Sequence, residues 1–370
     1  MWQRIQALII KELLAMLRDK KARILLLVPP ILMLVLFANA VTLEVNNVSI
    51  GILNRDNGFQ SRELIRRIEG SRTFQHVIFL KGVSQIRSLI DSEKAFVVMH
   101  IGPDFTRRIL SNQPASVQVI IDGRRLNSAQ IVEGYINRIL MQFNQQLADQ
   151  NPKVPRPPSI LVARHWFNPN LDYIWFTVPS LVGILTMTVA TNVTALSVAR
   201  ERELGTFDQL LVSPIQPIEI LIGKTVPAII FGVLEGTLMI CAGVFIFHIP
   251  FTGSLICLYG SMVVFLLSIT GIGLFISSLA KTQQQAVLGS FMFSNPAITL
   301  SGYAAPIENM PQWMQTVTYI NPLRYFMVIL KGSFLKDMPP ELIFANTWPM
   351  ALIAICTLSG ASWFFKRRLE

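Results

Sequence analysis

The stretch SVARERELGTFDQLLVSPI, residues 197–215, decides how the rest of the chain is read. An apolar run arrives at Ser197, four alternating charges follow at Arg200, Glu201, Arg202 and Glu203, and a short apolar pattern then stops at Ser213 and Pro214. This order predicts a membrane-spanning helix that leaves the hydrocarbon at Arg200 and continues as a solvated extension, with Arg200 and Arg202 near lipid phosphates. Gly205 ends that helix. Thr206 and Gln209 match the capping-box spacing and open a second helix of about one and a half turns, which shows Phe207, Leu210 and Leu211. So short a helix cannot bury that surface alone, and the stretch reads as a knob for a cytoplasmic partner.

The composition agrees with a membrane protein. Of 370 residues, 52% are hydrophobic and 15% charged, against roughly 25% charged in an ordinary soluble domain. Runs long enough to cross a hydrocarbon core, which takes about 20 residues, are expected at 22–43, 172–199, 217–247, 253–279, 284–304 and 345–365. The expected fold is therefore an α-helical polytopic membrane protein of six spans. The first run is full length and contains Pro29 and Pro30, so it is read as a retained span and not as a signal peptide. Basic residues Arg4, Lys11, Arg18, Lys20, Lys21 and Arg23 outnumber Glu12 and Asp19 before it, and Lys366, Arg367 and Arg368 stand in the 366–370 tail. Both termini are accordingly placed in the cytoplasm. The formal charge of +10 is spread along the chain and forms no tract, which excludes nucleic acid from the expected partners.

Residues 1–21 place Trp2, Ile5, Ile9, Leu13 and Met16 at helical steps. Two readings stand: an amphipathic helix in the membrane surface, facing lipid, or one packed on protein. Residues 44–171 have soluble character, with strand-like VSIGIL, HVIFL, AFVVMHI and SVQVII alternating with helical patterns. They are expected to form an inserted α/β or α+β domain outside the cytoplasm, closing with a helix near 128–149 capped by Asn127. Residues 305–340 are too polar and proline-rich to span. Pro306, Pro311 and Pro322 break their path, Ile307, Met310, Met314 and Val317 share one helical stripe, and short helices dipping into the outer leaflet are expected.

No catalytic or metal motif emerges. Cys241, Cys257 and Cys356 lie in apolar runs, and His76, His100, His165 and His248 show no ligand spacing. The fragment Ile222-Gly223-Lys224-Thr225 resembles the end of a phosphate loop, but Ile218 stands where its first glycine is required. No ATPase and no cofactor are therefore expected in this chain. Lys224 is read as snorkelling. Glu235 lies near the middle of its span, where an ionised carboxylate is costly, and is assigned either a structural hydrogen bond or a place in a transport path. Ser294 and Asn295, beside Pro296, mark a kinked packing helix or a cavity lining, with the cavity favoured.

The chain resembles the membrane subunits of ATP-binding-cassette exporters of the second type. The resemblance runs through KELLAMLRDKKARILLLVPP (11–30), FNPNLDYIWFTVPSLV (167–182), ARERELGTFDQLLVSPI with IGKTVPA (222–228), SGYAAPIENMP (301–311) and YINPLRYF (319–326). It is most like the bacterial inner-membrane multidrug-efflux permeases with a large periplasmic domain. That resemblance implies a coupling helix within 200–216, at Glu203, Gly205, Thr206, Leu210, Leu211 and Pro214, seated in a separate ATPase subunit that carries ATP and Mg. It also implies a second permease subunit, an outer gate at Pro306, Pro311 and Pro322, and leaves open a periplasmic adaptor. Two other classes remain: a proton-driven transporter using Glu235, and a membrane sensor with a periplasmic domain.

Overall fold

The computed structural model describes residues 2–18, 24, 28, 30–36, 48–71, 73–92, 94–122, 126–150, 166–168, 172–206 and 215–367. The chain divides into two compact units, one of residues 1–41 with 165–370 and one of residues 42–164.

The smaller unit alternates strands and helices: β1 (Ser49–Asn54), α2 (Phe59–Glu69), β2 (His76–Phe79), α3 (Ser84–Asp91), β3 (Val97–Ile101), α4 (Phe105–Leu110), β4 (Val117–Ile121) and α5 (Leu126–Gln150), with α1 (Trp2–Arg18) belonging to the other unit. Its sheet runs β2-β1-β3-β4. β1 is parallel to β2 and β3, whereas β4 returns antiparallel to β3. One face is sealed by Leu64 and Ile68 of α2 and Val132, Ile136 and Phe143 of α5, packed on Ile50, Ile52, Val97 and Met99. α5 begins one residue before Asn127, so that residue lies inside the helix and does not cap it; cap geometry, not composition alone, sets such boundaries.

The larger unit is helical: α6 (Tyr173–Glu203), α7 (Pro217–Cys241) with a π turn at Ala242–Ile246, α8 (Leu255–Leu279), α9 (Gln283–Thr299), α10 (Gln312–Val317), α11 (Pro322–Leu335) and α12 (Pro340–Arg367). Among the described residues, four helices are long and apolar enough to cross a membrane, at Tyr173–Glu203, Ile218–Ile246, Leu255–Leu279 and Pro340–Phe364. Of the run at 22–43, only positions 24, 28 and 30–36 are described, and they are helical. The run expected at 284–304 is a shorter helix of 17 residues. The Leu300 amide closes onto the Pro296 carbonyl at 2.9 Å, and Gly302 at φ 83° turns the chain away.

α6 is the axis of this unit, packed against α7, α8, α9 and α11. Several of its hydroxyls are satisfied within the helix: Thr188, Thr191 and Thr194 each donate to the carbonyl four residues earlier at 2.8 Å. A polar side chain that brings its own acceptor adds little cost to burial. Around it Leu181, Leu185, Phe265, Ile269, Phe326 and Leu330 form one continuous core.

The 305–340 segment departs from a single stripe. A 3₁₀ turn at Ile307–Asn309 is followed by extended Met310 and then α10, since the residue before Pro311 is steered out of helical geometry. Each proline opens an element: Pro306 precedes the 3₁₀ turn, Pro311 precedes α10, and Pro322 is the first residue of α11 behind the Asn321 cap. Pro340 likewise starts α12, five residues ahead of the expected 345–365 run, because a proline fits the first helical turn without loss of a hydrogen bond. That helix also takes in Lys366 and Arg367 of the expected tail.

Candidate functional site

Three of the four charges at 200–203 each address a different helix end. Arg200 Nη1 donates to the Ala15 carbonyl in the last turn of α1 at 3.4 Å. Arg202 Nη1 donates to the Ser278 and Ala280 carbonyls at the end of α8, at 2.7 and 3.0 Å. Glu203 Oε2 accepts from the Gln283 amide at the start of α9, at 2.8 Å. Cations therefore meet helix C-termini and a carboxylate meets a helix N-terminus, the placement that unsatisfied end groups and helix dipoles favour. Glu201 turns inward. Its Oε1 lies 2.5 Å from Lys11 Nζ on α1, and its Oε2 lies 2.8 Å from Lys224 Nζ on α7, off the line of a straight hydrogen bond.

Lys224 is the centre of this junction. Its ammonium also reaches Glu12 Oε1 at 2.9 Å and Ser197 Oγ at 3.0 Å, while Ser197 donates to Glu12 Oε2 at 3.2 Å. Lys224 is 4% exposed, Glu12 7% and Glu201 6%. The side chain is thus not snorkelling, because two carboxylates from neighbouring helices supply the counter-charge that a lipid phosphate would have given. Lys11, Glu12, Glu201 and Lys224 sum to zero, the condition under which buried charges are tolerated. The solvated extension expected at 200–203 is likewise corrected: Arg200 and Arg202 point at protein carbonyls, and Glu201 is enclosed.

The IGKT fragment has a packing role. A Cβ on Gly223 would lie 2.7 Å from the Leu8 Cβ, so glycine lets α1 cross α7 closely enough for Glu12 to reach Lys224. Ile5 and Met16 are buried on the same side of α1, while Trp2, Ile10, Leu14 and Leu17 are exposed on the other. The buried side of α1 is thus packed on protein.

α6 closes as the glycine predicted. Gly205 has φ 68°; its amide meets the Arg202 carbonyl at 3.1 Å and the Thr206 amide meets the Glu201 carbonyl at 2.9 Å, a Schellman pair. The Thr206 hydroxyl also donates to the Glu201 carbonyl, so it serves the helix that ends there. Phe207, Gln209, Leu210, Leu211 and Pro214 lie outside the described residues. α7 starts at Pro217 with a full capping box between Gln216 and Glu219, and Arg4 of α1 approaches Glu219 at 3.7 Å.

The other predicted positions stand apart from this junction. Glu235 is 3% exposed, and its Oε1 has no hydrogen-bond partner. It pairs with neither Lys224 nor any other described cation. Ser294 is buried, whereas Asn295 beside it is exposed. Among the described residues, no cluster of histidine, cysteine or carboxylate side chains has the arrangement of a metal site.

Sequence reasoning missed Lys11, Glu12 and Glu201. The available signal was that a lysine early in the 217–247 run and carboxylates in two neighbouring runs carry opposite charge at similar depth.

The ABC-2 family transporter protein profile matches residues 20–363. The chain is 45% identical to "Probable multidrug ABC transporter permease YbhR" of Escherichia coli over 369 residues, covering all of both chains. It is 32% identical to "Probable multidrug ABC transporter permease YbhS" of the same organism, over all of this chain and 98% of that one. "Inner membrane transport permease YhhJ", also of Escherichia coli, is 28% identical over 74% of this chain and 72% of its own. With its helical bundle, the four long apolar helices among its described residues and this match along nearly its whole length, the chain belongs to the ABC-2 family of ABC transporter membrane proteins.

Proposed function

We propose that this chain is the permease subunit of an ATP-driven exporter that moves drug-like or amphipathic solutes out across a bacterial inner membrane. Six spans cross that membrane with both termini in the cytoplasm, and the 44–171 domain stands in the periplasm, where an adaptor protein is its expected partner. Two permease subunits enclose the path, with Glu235, Ser294 and Asn295 on it and the segment around Pro306, Pro311 and Pro322 as its outer gate. A separate ATPase holds ATP and Mg and docks on the 207–214 segment.

The observation that carries this reading is the clasp at Arg200 to Glu203. A push on the adjoining 207–214 segment is applied, through side chains bonded to the ends of α1, α8 and α9 and to Lys224 of α7, to most of the bundle at once. The names of YbhR and YbhS, both probable multidrug permeases, support the solute class. The buried, unpartnered oxygen of Glu235 favours one alternative, proton-driven transport. Reconstitution separates the two: vesicles holding the permease and its co-expressed ATPase accumulate a fluorescent drug only with MgATP inside reach of the ATPase. Uphill transport by the permease alone under a proton gradient would establish the alternative instead.

A further inference from the structure

The least buried side of α11 carries Arg324, Tyr325, Val328 and Lys331. These follow at i, i+1, i+4 and i+7, so the two cations share one face about 10.5 Å apart along the axis. Both are half-buried. Among the described residues neither meets a carboxylate. Arg324 donates to the Thr318 hydroxyl and to the Gln315 carbonyl, and its guanidinium lies 4.1 Å from the Tyr319 ring centroid. The Lys331 ammonium lies 4.0 Å from the Phe176 ring centroid, and that ring stacks on Tyr303 at 6.1 Å. Aromatic faces attract a cation without neutralising it. Lys224, equally a lysine of an apolar helix, is by contrast held by two carboxylates.

We propose that this stripe binds the acid group of an anionic amphipath, and therefore that the solutes of this exporter include amphipathic acids. The carboxylate or sulfonate sits against Lys331. The apolar body lies along exposed Val328 and the rings of Tyr325 and Tyr319, toward Arg324. This deepens the exporter reading and rests on it for the word solute, while the binding site itself stands on the charge and ring geometry alone.

The test uses the full-length chain in nanodiscs of zwitterionic phosphatidylcholine, with 11-(dansylamino)undecanoate as probe and its uncharged methyl ester as control. Lys331→Gln is expected to weaken the acid about tenfold and to leave the ester unchanged, and Lys331→Arg to retain acid binding. Val328→Glu, on an exposed position one turn away, supplies an internal counter-charge and is expected to weaken the acid selectively even where Lys331→Gln fails to fold. Equal effects on acid and ester, or none, overturn the proposal. Displacement of the probe by phosphatidylglycerol from the wild type but not from Lys331→Gln makes the occupant a lipid headgroup and overturns it too. A changed oligomeric mass for Lys331→Gln makes the stripe a subunit contact, with the same consequence. No ATPase takes part, so failure here leaves the exporter reading standing.

Discussion

Two lysines in apolar helices of this protein are managed in opposite ways. At the α1–α6–α7 junction, Lys224 is enclosed by Glu12, Glu201 and Ser197, with Lys11 balancing the second carboxylate. On α11, Lys331 has an aromatic ring and an open side. The first arrangement is complete, so it locks helices in one relation. The second retains an unmet electrostatic demand, so it has something to offer a ligand. Charge inside a membrane protein is therefore not one signal but two, and the neighbouring carboxylates distinguish them.

The contrast is broken most directly at Lys224. Lys224→Met leaves Glu12 buried without a cation and Glu201 with Lys11 alone, and a buried pair that loses one partner costs about 3 to 5 kcal/mol. The variant is expected to be nearly absent from the membrane, measured by immunoblot and by thermal melting of the extracted protein. Replacing all three, as Glu12→Gln, Lys224→Met and Glu201→Gln together, recovers much of the loss. Wild-type melting of Lys224→Met alone would mean that the junction is not held by its charges.

A smaller effect comes from the glycine that brings the junction together. Gly223→Val places atoms within 2.7 Å of the Leu8 Cβ, and overpacking of this kind costs about 1 to 3 kcal/mol. Leu8→Ala in the same chain relieves the clash. A lowered melting temperature in the single variant that the pair restores shows that contact between α1 and α7 is what the glycine permits; no recovery places the strain elsewhere.

The 42–164 unit holds a carboxylate in a third way, with neutral donors. Burial alone would raise the Asp56 carboxyl, but hydrogen bonds from the Thr106 hydroxyl, Ser61 and the Gly58 amide outweigh it and hold the group below its ordinary range. The stability contributed by ionised Asp56 is thus complete above its unfolded-state pKa of about 3.9 and is lost as pH falls through the lowered folded value. Protection of the β1 and α4 amides against hydrogen exchange, taken relative to the intrinsic rate at each pH, is expected to fall on acidification across that window, and Asp56→Asn to flatten the dependence. An unchanged pH profile in the variant would assign the acid sensitivity to other groups.

Much of the architecture was legible because hydrophobic runs and strand periodicity are local. VSIGIL, HVIFL, AFVVMHI and SVQVII supply the four strands, and Gly205 ends α6 with the positive φ that glycine permits. The partners of Lys224 and Glu201 were not legible, since they lie 212 and 190 residues away in the chain, at Glu12 and Lys11, and no periodicity encodes such a meeting. The direction of each charge at 200–203 was hidden for the same reason: an arginine beside a membrane looks identical whether it faces a phosphate or a neighbouring helix carbonyl. The Met310 break was written locally, in Pro311, and was overridden by an apparent apolar stripe.

The central claim is that 200–216 receives work from a separate ATPase and hands it to the bundle through the 200–203 clasp. Leu210→Glu tests it with least disturbance, since Glu is a good helix former and only an unpaired carboxylate in a partner cleft is penalised. Copurification of the co-expressed ATPase with the tagged permease, scored together with membrane level, is the measurement. The account predicts normal insertion and loss of the ATPase from the eluate. Full retention of the ATPase, with solute-stimulated ATP hydrolysis intact, would contradict it.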